Sequence, residues 1–245
     1  MPRIALVAGS GLEKSFKLDR ELEVKTPYGQ VRASAMEVFG SSVVFLPRHG
    51  GEHSIPPHMI NYRANIYALK ELGVEKVVAT NAVGSLRTRI RPGDYVILDQ
   101  LLEFTKARPA TFFDGADGRV VHTDLTETYS HEVREALIDS FKEKKALLHR
   151  KGVYVCTEGP RYETPAEISM FRRLGGDVVG MTGYPEAVLA KELGMKYATV
   201  CVVTNYGAGM QDRVDHQEVL RLMDKSMEDV RHHLKAAVQF LSSEA

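Results

Sequence analysis

Arg48-His49-Gly50-Gly51 directly follows the apolar run VVFLP (43–47). An arginine presents a planar fork of donors matched to phosphate oxyanions. His49 beside it can donate as well. An isolated Arg-His pair is most often a solvated loop, but the position at a strand end and the flanking glycines favour an anion site here. A second segment, TNAVGS (80–85), offers the Asn81 side chain and the Ala82 amide to another edge of the same anion, and Thr182 adds a hydroxyl. A third, AGSG (8–11), brings the Ser10 hydroxyl between glycines that let the backbone approach an anion. Taken alone, AGSG fits a plain turn equally well. A dinucleotide fingerprint needs a third glycine where Lys14 stands, and no GxxxxGK[ST] spacing occurs. Free inorganic phosphate, as a co-substrate, therefore fits better than NAD or ATP, and no cofactor is expected.

No protein nucleophile is legible. There is no GxSxG elbow, and Cys156 and Cys201 sit in apolar strand-like runs outside any CxxC motif. They read as buried thiols in a reducing compartment. RHGGEHSIPPH (48–58) carries His49, His53 and His58 without a helical i, i+4 pair or a cysteine ligand, so no metal site is expected. Positioning and electrostatics are left to carry the chemistry. Tyr162, in EGPRYET (158–164), can pack at a rim or stack on a ring. Met181, at another strand end, reads as core by composition. In VVTNYGAGM (202–210) a β-branched run stops at Thr204 and the carboxamide of Asn205 follows. A helix N-cap or an Asx turn would explain an asparagine, but YGAGM is a poor helix start, which favours Asn205 as a group that faces a ligand.

The elements that must position these residues are short apolar runs alternating with helical patterns. IALVA (4–8), 43–47, KVVAT (76–80), YVILD (95–99), VYVCT (153–157), DVVGM (177–181) and YATVCVVT (197–204) read as strands, continuously apolar and so covered on both faces. Residues 56–73, 185–194 and 216–241 read as amphipathic helices. The pattern predicts one α/β domain, 1–245, with a mostly parallel or mixed central sheet flanked by helices. Ligands in such sheets bind beyond the carboxyl ends of the strands, where the polar segments above all fall. Lys+Arg and Asp+Glu are each 32, so the formal net charge is zero and bulk nucleic-acid binding is not expected. No apolar stretch approaches the ~20 residues of a membrane span. A soluble, cytoplasmic protein is expected.

Together, AGSG (8–11), 47–73, 80–100, RPATFFDG (108–115), TEGPRYET (157–164) and 181–207 resemble the trimeric purine nucleoside phosphorylases, in the family's order and over most of the chain. The methylthioadenosine phosphorylase branch is the nearest match. The resemblance implies a pentosyltransferase of purine salvage, a nucleoside-phosphorylase-type fold and a homotrimer. Ser10, Arg48, His49, Asn81, Ala82 and Thr182 match phosphate-binding positions, with His49 and Asn205 implied in catalysis. Met181 matches the residue under the ribose, and Tyr162 an aromatic beside the base. His122 matches a residue that reaches the 5′ end of the sugar in a neighbouring subunit. Asn205, Tyr206 and Gly207, implied in substrate binding, stand where methylthioadenosine enzymes carry Asp-Tyr-Asp. Glu163, Asn205, His216 and Val219 are implied in specificity, the last two near the 5′ pocket. A carboxamide donates to an acceptor at C6 and accepts from the ring, which matches a 6-oxopurine. The expected reaction is phosphorolysis of S-methyl-5′-thioinosine. Cleavage of methylthioadenosine, cleavage of 6-oxopurine nucleosides in general, and a nucleoside-binding module without turnover are the alternatives.

Overall fold

The computed structural model describes residues 3–9, 12–50, 54–116, 118–142 and 148–243, with Glu13 and Lys14 described by their backbone alone. The first strand, β1 (Ile4–Ala8), shows why its run is continuously apolar. Ala5 and Val7 enter one buried cluster, whereas Ile4, Leu6 and Ala8 enter another on the opposite face. Successive strand residues point to opposite faces, so a strand without a polar alternate must be covered twice.

Three strands precede the next helix: β2 (Arg20–Thr26), β3 (Gly29–Val38) and β4 (Ser41–Pro47). The β2–β3 hairpin is antiparallel, turns at Gly29 with φ of 134°, and alternates exposed with half-buried residues along β2. Helix α1 (Tyr62–Glu71) starts later than its apolar pattern does, because the Asn61 side chain caps it by accepting from the Ala64 amide at 3.1 Å. Then come β5 (Lys76–Ser85), β6 (Tyr95–Ile97), β7 (Gln100–Phe104), α2 (His131–Ser140), β8 (Leu148–His149) and β9 (Val153–Thr157). The chain continues through α3 (Pro165–Arg173), β10 (Val178–Gly180), α4 (Glu186–Glu192) and β11 (Lys196–Tyr206), and α5 (His216–Ser243) follows. Helices α1 and α4 pack on one face of the sheet; α2 and α5 pack on the other. Among the described residues, no helix is long and apolar enough to cross a membrane.

The sheet is mixed, with strand order β2-β3-β4-β1-β5-β10-β9-β7 and a branch in which β11 pairs both β5 and β6. The branch is what makes a site. β5 pairs parallel with β11 along its whole length on one edge. On its other edge it pairs with β1 only as far as Ala79, and with β10 only from Gly84 onward. Thr80 to Val83 therefore border a gap between two strands. The sequence pattern ended this strand at Thr80 and β11 at Thr204. Both run further, because β5 and β11 stay paired with each other past those points. The register of β11 shifts between Val203 and Asn205, so Thr204 is an extra residue opposite Val83 and Gly84. Such a bulge re-aims the side chains beyond it.

Candidate active site

The phosphate-type groups gather at the gap in β5. Arg48, which follows β4, is 1% exposed. Its Nε and Nη2 donate to the two carboxylate oxygens of Glu186, both at 2.7 Å, and its Nη1 donates to the Thr80 carbonyl at 2.8 Å. Three of the five guanidinium N–H groups are thus used by the protein and two remain. Burial works against the guanidinium charge, but the Glu186 carboxylate more than offsets it and holds the pKa of Arg48 above its ordinary value. Glu186 also accepts from the Tyr197 hydroxyl at 2.7 Å. A buried charge needs such partners, and Glu186 supplies what a solvated loop arginine would lack.

The Asn81 carboxamide accepts from Thr199 Oγ1 at 2.8 Å and donates to Thr182 Oγ1 at 2.6 Å. That last bond occupies a lone pair of the Thr182 hydroxyl and leaves its proton to point elsewhere. Alternation along β5 turns the Ala82 peptide to the same edge as the Thr80 carbonyl. The Thr182 and Gly183 amides both donate to the hydroxyl of buried Tyr154, at 3.1 and 3.2 Å. The loop after β10 is thereby held by a tyrosine, which takes up these two amides. His49 is 8% exposed, and its Nδ1 lies 2.9 Å from the Ile55 carbonyl. A carbonyl only accepts, so Nδ1 carries a proton and donates to it.

Arg48, His49, Asn81, Ala82 and Thr182 line one cavity together with Tyr162, Glu163, Met181, Asn205, Gly207, His216 and Val219. Asn205 lies on its wall: Oδ1 accepts from the Thr204 hydroxyl at 2.8 Å and Nδ2 donates to the Tyr206 carbonyl at 2.8 Å. Because that carbonyl can only accept, the orientation of the amide is fixed. One N–H and one oxygen lone pair of Asn205 stay available. Gly84 permits this placement, since a Cβ there would sit 3.1 Å from Asn205 Nδ2. A Cβ on Gly207 would meet Ile168 Cδ1 at 3.0 Å, so a side chain beside Asn205 would require Ile168 to give by a few tenths of an ångström. Met181 belongs to the cavity and not to the core, and Gly159, at φ of 67°, leaves space for its sulfur. The Tyr162 hydroxyl is 3.1 Å from His216 Nδ1, which joins the loop after β9 to the first residue of α5. Glu163 accepts from the Thr157 hydroxyl at 2.6 Å. Burial raises its pKa, and the Thr157 bond offsets part of that rise.

One sequence expectation is corrected. Tyr206 does not line the cavity. It follows Asn205 on the same strand and so points to the other face, where its hydroxyl lies 3.4 Å from the Thr88 carbonyl. His122 is exposed and away from this chain's cavity. Ser10 and His53 lie outside the described residues. Glu186, Tyr154 and Thr199 were not found from sequence. A carboxylate at the head of the otherwise apolar helix pattern of 185–194 was the one available signal.

The sequence matches the phosphorylase superfamily over residues 3–239. This chain belongs to the phosphorylase superfamily. Within it, the phosphorylase stands among the purine nucleoside phosphorylases, which are pentosyltransferases. It is 53% identical to the 6-oxopurine nucleoside phosphorylase of Pyrococcus furiosus, over all of this chain and 95% of that one. It is 48% identical to a probable S-methyl-5′-thioinosine phosphorylase of Methanothermobacter thermautotrophicus, over 98% of this chain and 85% of that one. The solved methylthioadenosine phosphorylase of Schistosoma mansoni in complex with adenine superimposes with a TM-score of 0.94 at 32% identity, over all of this phosphorylase and 93% of that chain. The nucleoside-phosphorylase fold expected from the sequence is therefore the fold observed.

Proposed function

We propose that this phosphorylase cleaves 6-oxopurine nucleosides with inorganic phosphate, and that S-methyl-5′-thioinosine is its preferred substrate. The observation that carries the reading is the Asn205 carboxamide on the cavity wall, with one N–H and one lone pair uncommitted. Hypoxanthine presents an acceptor at O6, which the N–H meets, and the lone pair can take a proton-bearing ring nitrogen. Glu163 adds a second discriminator. Its carboxylate accepts the N1–H of a 6-oxopurine, whereas adenine has a lone pair at N1 and would face it unpaired.

Phosphate is held by Arg48, His49, Asn81, Ala82 and Thr182. As the C1′–N9 bond breaks, its electron pair moves to the purine and a phosphate oxygen bonds to C1′. The proton given up by the phosphate O–H passes to the departing purine, so the products are hypoxanthine and 5-methylthioribose 1-phosphate. Charge gathering on the departing base strengthens the bond from Asn205 in the transition state. Val214, Val219, Leu220 and Met223 make one end of the cavity apolar, which favours a methylthio group over a hydroxyl. Hypoxanthine release from S-methyl-5′-thioinosine is expected to be at least about tenfold faster, by kcat/KM, than from inosine. Equal values would remove the methylthio assignment and leave the broader 6-oxopurine activity that the name of the Pyrococcus furiosus relative favours.

Glu163 gives the pH dependence. As pH falls through its raised pKa, the carboxylate takes a proton and can no longer accept N1–H, so kcat/KM for a hypoxanthine nucleoside falls. Glu163→Gln is expected to lower kcat/KM by about tenfold at neutral pH and to lose that acid limb. Phosphate ionisation affects both profiles alike and cancels in their ratio. An identical limb in the variant would show that Glu163 does not read N1.

The assembly is proposed to be a homotrimer acting in the cytoplasm. The exposure of His122, beside Val120 at 78% exposed, supports a role for His122 across a subunit boundary.

A further inference from the structure

Arg108 touches neither face of the cavity, yet its side chain is 2% exposed and its bonds converge on both halves of the site. It lies four residues beyond β7. Its Nη2 donates to the Glu158 carbonyl at 2.7 Å and the Thr157 carbonyl at 3.2 Å, where β9 enters the loop that carries Tyr162 and Glu163. Thr157 in turn donates its hydroxyl to Glu163. The Nη1 of Arg108 donates to the Tyr184 carbonyl at 2.6 Å, midway between Thr182 and Glu186 in the phosphate half. The Tyr62 hydroxyl lies 3.2 Å from Nη1, and the guanidinium sits over the Tyr62 ring. One rigid, planar group thus ties the peptide that orients Glu163 to the segment that places Thr182 and Glu186. A lysine, with a single nitrogen, cannot span these carbonyls.

We propose that Arg108 is a positioning residue that couples the two half-sites, so that phosphate binding tightens purine binding and the reverse. The inference rests on the assignment of the phosphate and base halves given above. Order imposed at Tyr184 by phosphate passes through the guanidinium to Thr157 and Glu158, and linkage requires the effect to be reciprocal. Removal of Arg108 leaves each loop to be ordered by its own ligand alone.

The test is calorimetric titration of the intact protein with hypoxanthine, and separately with adenine, each with and without saturating phosphate. The wild type is expected to bind the base at least about fivefold more tightly with phosphate present. Arg108→Lys and Arg108→Ala are expected to bring that ratio close to one, and free guanidinium is expected to restore it in Arg108→Ala but not in Arg108→Lys. A residue that merely supports the fold would lower Tm and leave the ratio unchanged. If Arg108→Ala does not fold, Arg108→Lys carries the test. A wild-type ratio of one, or a wild-type ratio preserved in a folded variant, overturns the coupling. Binding of adenine but not of hypoxanthine would instead count against the base assignment, with the ratio still readable.

Discussion

Arg48→Met is expected to lower folding stability by about 3–5 kcal/mol, because it leaves Glu186 as an uncompensated buried charge. It is also expected to lower kcat/KM by about two to three orders of magnitude, the usual cost of losing one preorganised donor to a charge-bearing group. The two losses have different origins. Glu186 accepts both Arg48 bonds and the Tyr197 hydroxyl in a site that is 1% exposed, so its charge has no water to fall back on. Arg48→Met/Glu186→Gln removes both charges and is expected to regain most of the stability, since a neutral replacement of a buried pair is often tolerated. It is not expected to regain activity, because the donors to phosphate are still missing. Urea unfolding and kcat/KM on the single and double variants separate the effects. Recovery of activity together with stability in the double variant would show that Arg48 serves the fold alone.

Asn205→Asp is expected to swing the ratio of kcat/KM for hypoxanthine over adenine nucleosides toward adenine by about 10–200-fold, equivalent to 1–3 kcal/mol from one mismatched buried polar pair. The local bonds explain the direction. An aspartate at 205 still accepts from Thr204, but its other oxygen would lie against the Tyr206 carbonyl, 2.8 Å from where Nδ2 now donates. Two acceptors there favour the protonated carboxyl, which can donate to one partner while its other oxygen accepts from an exocyclic amino group. The swing stays partial. Glu163 still opposes adenine at N1, and Gly207 supplies no second carboxylate. Steady-state rates on both bases at several pH values check this. An unchanged preference would mean that Asn205 does not read the base.

What the sequence made legible follows the range of the interactions concerned. β1 and β9 were readable because an unbroken apolar run admits few other structures, and Arg48 and Thr182 do follow strands, whereas Asn81 lies within β5 at the point where β1 stops pairing with it. The ends of β5 and β11 were not readable. Each continues only because the other is there, and the bulge at Thr204 is a property of the pair. Tyr206 was misplaced for the same reason: whether 205 or 206 faces the cavity depends on a one-residue register that no local pattern contains. The β2–β3 hairpin had its alternation and its Gly29 turn in view, as α3 had its Thr164–Glu167 capping box, and both went unread. Glu186 and Arg108 are a different case. Arg48 and Glu186 are 138 residues apart, and Arg108 finds backbone carbonyls at separations of 49 to 76 residues. A charged side chain that satisfies backbone groups leaves no partner pattern in the sequence.

The Asn205 carboxamide is expected to make this a 6-oxopurine enzyme. The most direct test supplies S-methyl-5′-thioinosine and S-methyl-5′-thioadenosine side by side, with and without phosphate, and follows release of the free base. Phosphate-dependent release of hypoxanthine, with adenine release at least about tenfold slower, is the predicted result. Adenine released as fast as hypoxanthine, or faster, would contradict it.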